Sequence, residues 1–161
     1  MKRIEFLLLL PLIAFFGCEN SSHNHQGEGG SKHVHVAPHG GQLVEVGEHG
    51  SGFNLELLLN PDGFLQIYVL DAHAENFVRI SAPSIIISVP SENNPTVIAC
   101  EPVEDLATGE TIGNTSLFTS TTRIKEMLPL KGVIQELHIL EFTYENVAIS
   151  FSGNIENSRE Y

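Results

Sequence analysis

The chain of 161 residues contains no tryptophan, and aromatic residues make up only 7% of it. Base-stacking platforms of the kind that hold single-stranded nucleic acid are therefore not expected. Basic residues are also scarce, at 8 Lys+Arg against 20 Asp+Glu, for a formal charge of −12. No basic surface is available to displace phosphate counterions, which excludes a nucleic-acid partner. There are only two cysteines, Cys18 and Cys100, too few for a disulfide framework. The apolar run from Phe6 to Phe16 is the longest, and Pro11 interrupts it. A bilayer-spanning helix needs about 20 apolar residues, so this run is too short to cross. Gly-x-Ser-x-Gly, phosphate-loop and His-Glu-x-x-His patterns are all missing, and no enzyme activity is expected. What remains is a 42% hydrophobic chain with 17% charged residues, a composition that builds a packed core.

The first segment reads as a targeting signal. Met1-Lys2-Arg3 is a basic start, the apolar run follows, and the run ends at Phe15-Phe16-Gly17-Cys18. Gly17-Cys18 resembles the lipobox of bacterial lipoproteins, although Phe15 departs from the usual Leu. The resemblance implies a signal peptide over 1–17 and a lipid on Cys18. Three acyl chains would anchor the protein firmly, since two already suffice. Glu19 is not the Asp associated with inner-membrane retention, so the expected place is the outer membrane, facing the periplasm. An ordinary cleaved signal with an incidental cysteine is the alternative. In either case Cys100, within Val97-Ile98-Ala99-Cys100, is read as a buried core thiol rather than a nucleophile or metal ligand.

Residues 18–32 read as a flexible tether, because Glu19 to Lys32 contain no apolar side chain. Residues 153–161 read as a frayed polar tail. Residues 33–152 should form the domain. Its hydrophobic pattern is mostly of period two. In Phe53 to Leu59 the odd positions form an apolar face, and Phe64 to Leu70 follows after Asn60-Pro61-Asp62-Gly63. Proline sets φ for the first turn position and glycine accepts positive φ, so this is a β-hairpin. Further strands are expected at Gln42–Val46, Phe77–Ile80, Ser84–Val89, Thr96–Glu101, Ser116–Ser120, Gly132–Phe142 and Tyr144–Phe151. A turn is expected near Thr143 to Asn146, and a helix of about two turns at Thr121–Leu128, stopped by Pro129. The sum is an all-β, antiparallel β-sandwich, immunoglobulin-like, with one short helix.

Histidine is the outstanding residue. Six of the eight lie between His23 and His49. His23-Asn24-His25 is in the tether, and His33-Val34-His35 lies where the tether meets the domain. In an extended chain, residues i and i+2 point the same way, about 6.5–7 Å apart, so each pair can converge on one ion. His39 sits in Pro38-His39-Gly40-Gly41, His49 in Glu48-His49-Gly50, and His73 follows Asp71. Neutral imidazole suits Zn, Cu(II), Ni and Co. Scarce methionine and thiol argue against a soft Cu(I) site. His23, His25, His33 and His35 are candidate exchangeable ligands, and His39, His49 and His73 a candidate firmer site. The bland readings are a hydrophilic spacer for the tether, a packed turn residue for His39 and solvated loop residues for His49 and His73. His138, in Glu136-Leu137-His138-Ile139, is read as a strand histidine with a partner.

The stretch Pro38 to Gly47, then Phe53-Asn54-Leu55-Glu56 and Leu65 to Asp71, resembles the small His-Gly-Gly β-domain of bacterial envelope proteins. That domain includes the N-terminal regions of periplasmic adaptor subunits of heavy-metal efflux pumps. The resemblance is specific over 38–71 and loose to about 151. It implies metal handling, with His39 as the matched position and a metal-efflux system as partner. The helical hairpin and barrel domains of such adaptors have no counterpart, so a free-standing module is expected. The function read from the sequence is a lipid-anchored protein that buffers or delivers divalent transition-metal ions. The alternative is a non-enzymatic interaction module on a plain spacer.

Overall fold

Alternating apolar residues make strands here because each strand buries one face in a common core. The computed structural model describes residues 35–92 and 94–153. Among these residues eight strands run in chain order: β1 (Gln42–Val46), β2 (Phe53–Leu59), β3 (Phe64–Leu70), β4 (Ile85–Val89), β5 (Thr96–Pro102), β6 (Leu117–Arg123), β7 (Leu130–Ile139) and β8 (Phe142–Phe151). All pairings are antiparallel, in the order β1-β2-β3-β6-β5-β4-β7-β8. The fold is all-β, with one continuous curved sheet wrapped around a single core. Leu57, Ile67, Ile87, Ile98, Phe118 and Phe151 meet in that core, so both halves of the sheet contribute to it. The sheet nearly closes. The Gln42 side-chain amide on β1 donates to the Ser150 carbonyl, and its Oε1 accepts from Ser152 N at 3.1 Å and Ser152 Oγ at 3.2 Å. This amide supplies the hydrogen bonds that a ninth strand would otherwise provide between the edges.

The β2–β3 hairpin forms as its residues dictate. Gly63 N donates to Asn60 O, Asn60 N to Phe64 O, and Phe64 N to Asn60 Oδ1, each at 2.9 Å. Three local expectations are corrected. Thr121–Leu128 is not a two-turn helix: β6 continues through Arg123, which pairs with Phe64, and only Lys125–Met127 coil into a 3-10 turn. The β-branched pair Thr121-Thr122 favours the strand. Phe77–Ile80 is not a strand. Phe77 bridges Leu70, and Ile80 bridges Thr115, as isolated pairs. The last hairpin turns at Leu140-Glu141, not at Thr143–Asn146, with Ile139 facing Phe142 across it. Asn146 does adopt a positive φ of 54°, but within β8. There the inward alternation slips by one residue, from Val147 to Tyr144 on β8 and from Ile134 to Leu137 on β7.

β2 departs most from simple alternation. Leu55, Leu57 and Leu59 face the core, but Asn54, Glu56 and Leu58 on the opposite face are buried too. The strap of residues 35–41 and the loop after β3 cover that second face, and together with the β1–β2 loop they carry the functional candidates.

Candidate functional site

The strap is fixed by a buried carboxylate. Glu56 is fully buried, and its Oε1 accepts from His39 N at 2.8 Å and from Gly41 N at 2.9 Å. His39 Nδ1 lies 2.9 Å from Oε2, and a ring N–H donating there completes the set. A carboxylate taken out of water costs several kcal/mol unless its oxygens are bonded, so this triple bond set is what allows Glu56 to be buried. The two glycines have separate roles. Gly40 takes φ +75°, the left-handed turn that lets both flanking N–H groups reach one oxygen. At Gly41 an added Cβ would stand 2.7 Å from Leu57 O and 2.8 Å from Glu56 Cγ, so only glycine lets the strap lie this close to β2. The His39 ring stacks on Tyr68 at 4.2 Å, and Phe77 approaches it at 5.5 Å.

Four residues upstream on the same strap, His35 meets two loops. Its ring centroid is 5.2 Å from that of His49 in the β1–β2 loop and 5.7 Å from that of His73 in the loop after β3. Each loop is built to hold its histidine. Glu45 Oε1 lies 2.8 Å from His49 Nδ1, and Gly52 N and Ser51 N return to Glu48 O. A ring N–H donated from Nδ1 to this carboxylate leaves Nε2 with the lone pair, the arrangement common behind metal-bound histidine. On the other side Asp71 Oδ1 accepts from His73 N at 3.2 Å and Glu75 N at 2.9 Å, while Oδ2 accepts from Asn76 Nδ2 at 2.6 Å. Burial alone would raise the Asp71 carboxyl. The bonds from the Asn76 side chain and from the Glu75, Asn76 and His73 backbone outweigh it, and hold the group below its ordinary range.

The residues suit a divalent ion in chemistry, and His35 stands from each of the other two at a suitable spacing. His35 Nδ1 is buried with no hydrogen-bond partner. With metal–nitrogen bonds of about 2.0–2.1 Å and tetrahedral angles, two imidazole centroids stand roughly 5 Å apart. The two observed separations are close to that. Among the described residues, however, no group of three or more His, Cys, Asp or Glu side chains is arranged to hold a metal ion. The His35 ring neighbours the other two, but the three side chains do not converge on one point. His49 and His73 are exposed, and exposed side chains change rotamer in picoseconds to nanoseconds.

The structure thus gathers His35, His49 and His73, and gives His39 to Glu56, Tyr68 and Phe77. Cys18, His23, His25 and His33 lie outside the described residues. His138 is engaged at both nitrogens, with Glu136 Oε1 at 2.6 Å and Thr143 Oγ1 at 2.9 Å. Cys100 is fully buried, and burial pushes its thiol up to about 12, which deprives it of thiolate at neutral pH. Sequence reasoning did not single out Glu45 as the partner of His49, nor Glu56 as the partner of His39. Glu56 sits at an even position of β2 that alternation assigns to solvent. The available signal was an acid flanked by leucines in the second strand after a His-Gly-Gly turn. Compared with known proteins, the chain matches no family model, no curated protein and no solved structure.

Proposed function

We propose that this is a lipid-anchored cell-envelope protein that binds divalent transition-metal ions, and that it buffers or delivers them rather than transforming a substrate. The observation that carries the reading is the meeting of His35 with His49 and His73, from three separate segments, with Glu45 behind His49. Imidazole donors with a carboxylate nearby suit Zn, Ni, Co or Cu(II). His23, His25 and His33 add exchangeable donors in the preceding segment, and the charge of −12 raises the local cation concentration. Cys18 carries the lipid, and the likeness of residues 38–71 to adaptor domains of metal-efflux pumps makes such a system the natural partner. Titration calorimetry of the chain from Glu19 onward with Zn(II), Cu(II), Ni(II) and Co(II) tests this. The expected result is a dissociation constant tighter than about 100 μM, near −5.5 kcal/mol, for at least one ion. Weaker binding of all four removes the reading.

A second reading, a protein-interaction module, is favoured by one observation. Ile86 on β4 and Val97 on β5 project from the outer face at 40% and 58% exposure, on paired strands. It predicts that Ile86→Lys with Val97→Lys abolishes function in cells while metal affinity stays unchanged.

A further inference from the structure

Metal capture and the seating of the strap share one piece of chain. Among the described residues, Glu56 alone offers a side chain to the strap's backbone N–H groups, and it takes them from His39 and Gly41 together with the His39 ring. His35 lies four residues before His39, and its ring is the one that both His49 and His73 approach. Lifting the strap would expose the Glu56 carboxylate to water and carry His35 away from the other two rings. Seating it caps the carboxylate and delivers His35. A buried charge whose donors all come from one segment favours two discrete positions of that segment over a continuum, because a half-bonded buried carboxylate is the costliest arrangement.

We propose that Glu56 is the positioning residue of the metal site, a latch that touches no ion but sets the fraction of chains in which His35 is presented. The inference rests on the metal reading above and adds a reciprocal consequence. If the latch favours metal binding, metal binding must favour the latched strap by the same factor. The Pro38-His39-Gly40-Gly41 motif then acts as the catch of the latch. His39 serves through Glu56 and its stack on Tyr68, and the ligands are His35, His49 and His73.

Zinc alone is the probe, and the chain from Cys18 with Cys18→Ser is the sample. Amide exchange of the wild-type chain, followed by NMR, should slow at least threefold at the His39 and Gly41 amides on zinc saturation. Amides of β5 such as Ile98, far along the ladder order from the strap, should keep their rates. Glu56→Gln retains an acceptor for the two backbone N–H groups but loses the charge, and should weaken zinc binding at least fivefold. On a His35→Ala background the same change should cost less than twofold, because the latch has nothing left to deliver. A purely structural Glu56 would lower affinity equally on both backgrounds. Zinc binding with unchanged exchange at His39 and Gly41 overturns the latch and leaves the metal reading standing. Absence of zinc binding by the wild-type chain overturns both. Should Glu56→Gln not fold, the wild-type exchange measurement decides alone.

Discussion

At the scale of single residues, the chain uses burial to set the chemistry of its polar groups. Cys100 faces Ser120 across β5 and β6 and is fully buried, with its thiol raised to about 12 by that burial. Its alkylation should therefore require opening of the sheet. A maleimide or disulfide reagent is expected to label it at the rate of global unfolding, with fast labelling only in denaturant. Asp71 runs the other way. Its folded carboxyl lies below the ordinary range, so it contributes stability above the unfolded value near 3.8, and that contribution is lost as the pH falls through the folded value. Asp71→Asn should thus lower the urea midpoint at pH 7, and the gap to wild type should close in strong acid. A gap that persists at the lowest pH would mean that the carboxylate charge contributes nothing. The burial of Cys100 was legible in the sequence. Glu56 was not, because period-two reasoning assigns an even position of β2 to water and cannot see a strap folding back over it.

At the scale of elements, the strands were readable where one face is apolar and the turn carries Pro or Gly. The β2–β3 hairpin is the clearest case. The misread elements fail for identifiable reasons. The turn expected near Thr143–Asn146 is displaced because the fold uses the positive φ of Asn146 to slip the alternation of β8, while Leu140 takes φ 53° in the actual turn. Phe77–Ile80 has strand composition but finds only one bridge at each end, because its neighbour β3 already pairs with β6. Two substitutions test the contacts that hold elements together. Gly41→Ala should destabilise the domain by about 1–3 kcal/mol, the usual cost of overpacking, since its Cβ would meet the β2 backbone. Gln42→Ala removes the amide that joins β1 to β8 and should cost about 1 kcal/mol. Urea titrations of both variants measure these values, and a neutral Gly41→Ala would contradict the tight seating of the strap.

At the scale of the whole molecule, a nearly closed β-sheet serves as a rigid frame for three histidines that are distant in the chain. The histidine count and its bias toward residues 23–49 are plain in the sequence, but the grouping is not. The i, i+2 spacing pointed to His33 with His35, and the loop motifs pointed to His39 with His49 and His73. Topology instead sets the strap across the end of β2 where the β1–β2 and β3–β4 connections emerge, so His35 replaces His39 in the group. The most direct test compares zinc titrations of the chain from Glu19 onward with those of a variant carrying His35→Ala, His49→Ala and His73→Ala and retaining His23, His25 and His33. The expected result is a loss of affinity of at least tenfold, about 1.4 kcal/mol. Equal affinity of the two chains would place the binding in the preceding segment and contradict a metal site built by the fold.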